Sequence, residues 1–305
     1  MCVSIGAGFA SATLLARVST RPINIFDSTR QQVPGLRWVR DSALQSHPFR
    51  IEGELSCAGE RVPLEDGDVR ERLDRELQIN VFRQSNTILN MKLANRYFPE
   101  IEQILIEEGV PTDFKYLPLI ESDFREVVSP SGAAGFWQFL PSTGKTFGLE
   151  INESVDERYH VMKATHAACQ YLKLAREKLG TWTAAAAAYN YGLDGIGGKF
   201  QAQHTNNYYD IVVTSETSRY VFRALAMKVI FAAPEQAGYH LQDEDLYQPY
   251  PYSMIKIDSN VADLASLSEQ LGVKYKDLKL LNGWLRNGTL PNKSQKPYVL
   301  RLPTR

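Results

Sequence analysis

The chain has 305 residues, 44% of them hydrophobic and 23% charged, which suits a soluble protein with one sizeable core and a smaller companion, hence one or two domains. A formal net charge of -1 leaves no basic footprint, so nucleic acid is excluded as a partner. Cys2, Cys57 and Cys169 form no CxxC pair, and His47, His160, His166, His204 and His240 form no HExxH pattern. Neither a disulfide framework nor a metal site is expected, and no cofactor, although a single Cys2–Cys57 bridge stays open.

In chain order, the apolar stretch 3–16 is too short for a membrane span of about 20 residues, and no positive charge precedes it as a secretory signal would want. Residues 1–68 read as a poorly packed leader with one short strand around 49–55. From Val69, apolar residues at helical spacing (Leu73, Leu77, Val81, then Ile88, Leu89, Leu93, Tyr97) predict a long amphipathic helix in which a break is allowed. Pro99 should begin a second helix that stops at Gly109. A helix over 116–123 follows, then a short one from Pro141, a polar connector over 152–159, a helix over 160–179 and, capped by Thr181, an alanine-rich helix ending at 189–192. A polar, glycine-rich loop leads to a helix from Ser218, closed by Pro234 and Gly238. The expected domains are 69–240, a linker 241–252 punctuated by Pro and Tyr, and 253–305, in which a strand, two helices and a strand form a small βααβ unit. The fold class is mainly α.

One acid stands out. Glu121 follows Leu117, Pro118, Leu119 and Ile120, so its carboxyl should lie against the core, where burial disfavours the charged form and raises its pKa. A carboxylic acid still protonated near neutral pH can donate to a leaving group, as glycosidic cleavage requires. In the GAAGFWQ stretch that follows, Gly132 and Gly135 allow a tight backbone and close approach of a ligand, Trp137 offers a flat apolar face and Gln138 an amide for sugar hydroxyls. No second acid is evident in a motif. Asp123 turns to another face of the helix, and Glu126 falls in a loop.

Four ordered motifs, ESDF at 121–124, SGAAGFWQ at 131–138, AAAYNYG at 186–192 and ETSRYV at 216–221, resemble the lytic transglycosylase (SLT) domain of family 1 over roughly residues 70–235. Trp137 and the PSTGKTFGL that follows resemble its membrane-bound D-type branch. The resemblance implies a lysozyme-like helical domain that acts on peptidoglycan glycan strands. It makes Glu121 the catalytic acid and base, places Ser122, Gln138, Tyr189 and Asn190 against substrate, and puts Tyr220 near the acid. It also implies a substrate that supplies its own nucleophile, the muramic acid C6 hydroxyl, so that a 1,6-anhydro sugar forms where ordinary glycosidases use a second carboxylate. Residues 253–305 resemble a LysM module, with Asp258, Ser259, Asn260 and Val261 in place of its usual first turn, which implies wall binding or a degenerate copy kept for packing. A monomer in the cell envelope, periplasmic or at the outer membrane, is implied, with membrane attachment through an upstream signal or a lipid anchor left open. Two other readings remain: a hydrolytic muramidase with Glu126, Glu150 or Asp156 positioning water, and an idle wall-binding protein.

Overall fold

The structure, a computed structural model, describes the backbone of 12–18 and residues 51 and 53–304. Cys2, His47 and residues 49, 50 and 52 of the strand expected over 49–55 lie outside the described residues; residues 51, 53 and 54 are not in a strand, and the strand that forms begins only at Leu55. Cys57 and Cys169 are free and buried. The architecture is mainly α with a βααβ module, as expected, and the chain divides into two compact units. One takes in Asn24–Arg125 and Thr165–Tyr247, the other Met1–Ile23, Glu126–Ala164 and Gln248–Arg305. This division does not follow the linear order anticipated from the motifs, because 126–164 clusters with the C-terminal module.

The helical unit begins with a hairpin, β2 (Leu55–Cys57) and β3 (Glu60–Val62), paired through Cys57 and Glu60. Its two-residue turn, Ala58–Gly59, has φ of 53° and 80°, the double positive φ that matches strand twist in tight hairpins. Leu55, Cys57, Val62 and Leu64 are buried, so this part of the expected leader is packed core. Next come α1 (Gly67–Phe82) and α2 (Gln84–Glu107), separated at Arg83. Pro99 therefore lies inside α2 and does not begin a helix. The buried stripe Met91, Ala94, Phe98, Ile101, Ile104, Leu105 runs unbroken across it, and that packing outweighs the hydrogen bond a proline removes. A 3-10 turn leads into α3 (Tyr116–Ser122), and α6 (Trp182–Tyr191), α7 (Leu193–Ala202) and α8 (Ser215–Ala232) complete the unit after the long α5 (Val161–Leu179).

Helix α6 is the centre of this unit. All of Ala184, Ala185, Ala186, Ala187 and Ala188 are buried, and side chains this small let α7 and α8 approach closely. Its N-terminus is capped twice: Thr181 Oγ1 accepts from Ala184 N at 3.1 Å, and the Glu60 carboxylate of the hairpin accepts from Trp182 N and Thr183 N at 2.7 and 2.8 Å. The glycine-rich stretch after it, expected as a loop, is the helix α7, held by Ile196 and Phe200 four residues apart on its buried face. The expected linker is partly docked: Leu246 is buried, Tyr247 N donates to Lys92 O, and Asn95 Nδ2 donates to Tyr247 O.

In the other unit, β1 (Ala12–Val18), β4 (Tyr252–Ile257) and β5 (Tyr298–Pro303) form an antiparallel sheet in the order β1-β4-β5. Between β4 and β5 lie α9 (Leu264–Gln270) and α10 (Tyr275–Leu281). The short helix α4 (Pro141–Thr146) belongs to the inserted 126–164 segment. Val155 of that segment is 1% exposed within a cluster made otherwise of Ile255, Ile257, Leu264, Leu278, Leu285, Leu300 and their neighbours in the module.

Candidate active site

Glu121 lies near the C-terminal end of α3, whose last turn is forced shut by two consecutive residues in the left-handed region, Asp123 (φ 51°) and Phe124 (φ 53°). Neither is glycine, so the strain must be held by contacts. Asp123 accepts from Asn90 Nδ2 at 2.9 Å, Asn86 Nδ2 at 3.1 Å and Arg125 at 2.7 Å, while the buried Phe124 packs against Phe98 and Tyr97. Burial alone would raise the Asp123 carboxyl. The donors from Asn90, Asn86 and Arg125 outweigh it and hold the group below the usual range.

The Glu121 carboxyl moves the opposite way. Burial raises it, the Glu216 charge adds to the rise, and the Tyr220 hydrogen bond and the Arg223 charge oppose both without cancelling them. Tyr220 Oη donates to Glu121 Oε1 at 2.7 Å, and Tyr220 is 1% exposed. Its own hydroxyl is pushed far up by burial and then by Glu121, so it stays a donor. Arg223 donates to Ile120 O at 2.6 Å, tying α8 to the turn that carries the acid.

Asn190, at the end of α6, bridges to the start of α8: its Oδ1 accepts from Thr217 Oγ1 at 2.8 Å, and its Nδ2 donates to Glu216 Oε1 at 3.4 Å. The Tyr189 ring stands edge-on to Tyr171 at 5.3 Å, and burial followed by the Glu121 charge raises its hydroxyl well above the ordinary value. Glu121, Tyr189, Asn190 and Tyr220 are thus gathered in one place. Ser122 is buried beside them, with its hydroxyl turned back to donate to Pro118 O at 2.9 Å.

Two residues that the motif reading passed over, Glu216 and Arg223, belong to this group. They stand four before and three after Tyr220, on one face of α8, a spacing that the sequence displays once Tyr220 is taken as a site residue. Three carboxylates weighed as water-positioning bases have other partners: Glu126 pairs with Arg286 at 3.4 Å, Glu150 with Lys296 at 2.5 Å and Asp156 with Arg158 at 2.7 Å.

Gln138 belongs to the other unit, in the loop 126–139. Its backbone has φ 50°, and its Nε2 donates to Gly135 O at 2.7 Å and Val127 O at 3.1 Å. Trp137 is fully buried, so the indole expected to face a sugar is a core side chain. Gly135 likewise serves the protein and not a ligand: at φ 76°, a Cβ there would sit 1.9 Å from Arg158 O. Among the described residues, no group of three or more His, Cys, Asp or Glu could hold a metal ion.

Residues 88–212, which hold Glu121, Ser122, Gln138, Tyr189 and Asn190, match the Transglycosylase SLT domain. The stretch that carries Glu121 is therefore similar to a lytic-transglycosylase SLT domain. Residues 253–305 match the soluble lytic transglycosylase C-terminal LysM-like domain. Membrane-bound lytic murein transglycosylase D of Escherichia coli K12 is 26% identical over 277 residues, which cover 87% of this chain and 58% of the relative. The protein of that description in E. coli O6:H1 aligns to the same extent. This chain therefore spans little more than half the length of the curated relatives it matches. An X-ray structure of an inactive mutant of lytic transglycosylase Slt from Pseudomonas aeruginosa shares 16% identity at a TM-score of 0.35, over 58% of this chain and 33% of that one, a likeness too slight to bear on the fold. The SLT match ends at residue 212, before Tyr220, whose hydroxyl donates to the Glu121 side chain at 2.7 Å.

Proposed function

We propose that this chain cleaves the β-1,4 bond between N-acetylmuramic acid and N-acetylglucosamine in peptidoglycan without consuming water. The observation that carries the reading is the Glu121 carboxyl, raised by burial and held by a tyrosine that remains protonated. In this mechanism Glu121 gives its proton to the leaving glycosidic oxygen. It then takes one from the C6 hydroxyl of the muramic acid as that oxygen bonds to C1, which leaves a 1,6-anhydromuramoyl end and restores the acid. Tyr220 keeps the carboxyl oriented through both transfers, and Ser122 braces the end of α3. Tyr189, Asn190 and Gln138 are assigned to substrate contact.

Peptidoglycan strands are the proposed partner, met by a monomer in the cell envelope. Among the described residues no helix is long and apolar enough to cross a membrane.

Glu216 supports one competing reading. It is an exposed carboxylate whose charge reaches Glu121, and with it a water molecule could be activated in the manner of a hydrolase. Digestion of purified sacculi in 18O-water, with mass spectrometry of the released muropeptides, separates the two. Unlabelled 1,6-anhydro ends are expected. Reducing ends carrying the label at C1 would replace the transglycosylase reading with the hydrolytic one.

A further inference from the structure

The C-terminal module shares its core with a segment that the sequence places far upstream. Val155 is buried among Ile257, Leu264, Leu278, Leu285, Leu290 and Leu300, and Tyr159 packs against the same cluster. The backbones interlock as well. Asp156 N donates to Trp284 O and Arg286 N to Ser154 O, each at 2.9 Å, around an antiparallel bridge between Val155 and Leu285. Trp284 is stacked with His160 on one side and Tyr298 on the other, both at 5.7 Å between centroids. Tyr298 Oη donates to Glu150 at 2.9 Å, and the Arg286 guanidinium lies 3.8 Å from the Tyr159 ring centroid.

From this seam a short path of buried polar contacts leads to the loop that carries Gln138. The Asp156 carboxylate grips Arg158 at Nε (2.9 Å) and Nη2 (2.7 Å). The remaining terminal nitrogen of Arg158 donates to Gly132 O at 2.8 Å and Phe139 O at 3.1 Å, closing both ends of the loop, while Gly135 rests on the Arg158 carbonyl. Arg158 and Asp156 are each about 10% exposed in their side chains, so neither is replaceable by water. A module of about fifty residues is marginal by itself, and one that must borrow Val155 and Tyr159 to finish its core is not a free tether.

We infer that the LysM-like module is the mount of the 126–164 segment, and that Trp284 and Arg158 are positioning residues for the loop 132–139. Its consequence for turnover rests on the proposed function, through Gln138. The mount itself does not.

The test uses the full chain and reads hydrogen–deuterium exchange together with kinetics on short soluble muropeptides. Trp284→Ala is expected to speed exchange of the loop amides Ala134 and Gln138 about tenfold or more, the scale of one lost hydrogen bond, with α8 in the other unit unchanged. Trp284→Phe, which keeps a ring to stack, restores protection. Arg158→Lys keeps a charge beside Asp156 but cannot serve both carbonyls. It should loosen the loop while the β4–β5 amides stay protected, and it carries the test if Trp284→Ala does not fold. KM should rise in the loosened variants with kcat less affected. Loop exchange equal to wild type in Arg158→Lys and in folded Trp284→Ala overturns the inference, as does weakened retention on sacculi with unchanged exchange and soluble turnover, the behaviour of a pure targeting module. A wild type without turnover would sink the proposed function and leave the exchange result to judge the mount.

Discussion

The placement of Glu121 is legible because its signal is local: an apolar run ending in one acid, which lies half-buried near a helix end. Replacing it by glutamine keeps the shape and removes the proton, so activity should fall by about 10² to 10⁴-fold or more, the range for general acid–base help. A carboxyl whose folded pKa is raised binds its proton more tightly folded than unfolded. It weakens the fold as pH rises through that raised value, so Glu121→Gln should melt at an equal or higher temperature than wild type at pH 7.5. A folded variant with activity within threefold of wild type would remove Glu121 from the mechanism. Tyr220→Phe probes the same group from outside. The Tyr220 hydrogen bond lowers the Glu121 pKa, so its loss should shift the alkaline limb of the pH–rate profile upward as the rate itself drops, and an unmoved limb would show that the contact is not felt by the acid. Trp137 was not legible in this way. Sequence gives an indole the same letter whether it faces a sugar or a core, and only packing puts this one at 0% exposure.

At the scale of elements, the reading succeeded where periodicity and capping agreed and failed where tertiary packing overrode a local breaker. Thr181 caps α6 as its position suggested, whereas Pro99 and the glycines of α7 stop nothing, because buried side chains on both sides of each breaker keep the helix running. Of the two glycines expected to give a ligand close approach in the 132–139 loop, Gly135 instead faces Arg158. Gly132 and Gly135 both have positive φ, yet nothing lies within 4 Å of a Cβ at 132, while one at 135 would meet Arg158 O and Arg158 C at 1.9 and 2.6 Å. Gly132→Ala should thus cost only the backbone strain, about 1 to 2 kcal/mol, and Gly135→Ala should cost clearly more, since overpacking adds about 1 to 3 kcal/mol to the same strain. Urea denaturation of the two variants side by side measures the difference, and equal midpoints would mean that the loop shifts off Arg158 without penalty.

Over the whole molecule, the sequence pattern displayed both parts and hid how the chain is shared between them. Motif order placed 126–164 within the helical domain, because a scan along the chain cannot see that Val155 completes a core built more than ninety residues later. Within it, residues 152–159 read as a polar connector for the same reason: one valine among Asn152, Glu153, Ser154 and Asp156 has no periodicity to betray it. The seam this creates should be sensitive to acid. Burial, followed by the charges of Arg301 and Lys163, lowers the His160 pKa from 6.5 to about 3, so the imidazole that stacks on Trp284 is neutral in the folded chain. Below pH 6.5 the unfolded chain takes up a proton that the folded one refuses. The resulting loss of stability therefore begins as pH falls through 6.5 and grows until the folded value near 3 is reached. His160→Gln cannot be protonated and lacks this loss, although it gives up the stacking. Urea melts at pH 7.5 and 4.5 should show wild type losing more stability on acidification than the variant. Parallel losses in the two proteins would mean that His160 can charge in place, and that the stack at the seam tolerates a cation between Trp284 and its neighbours.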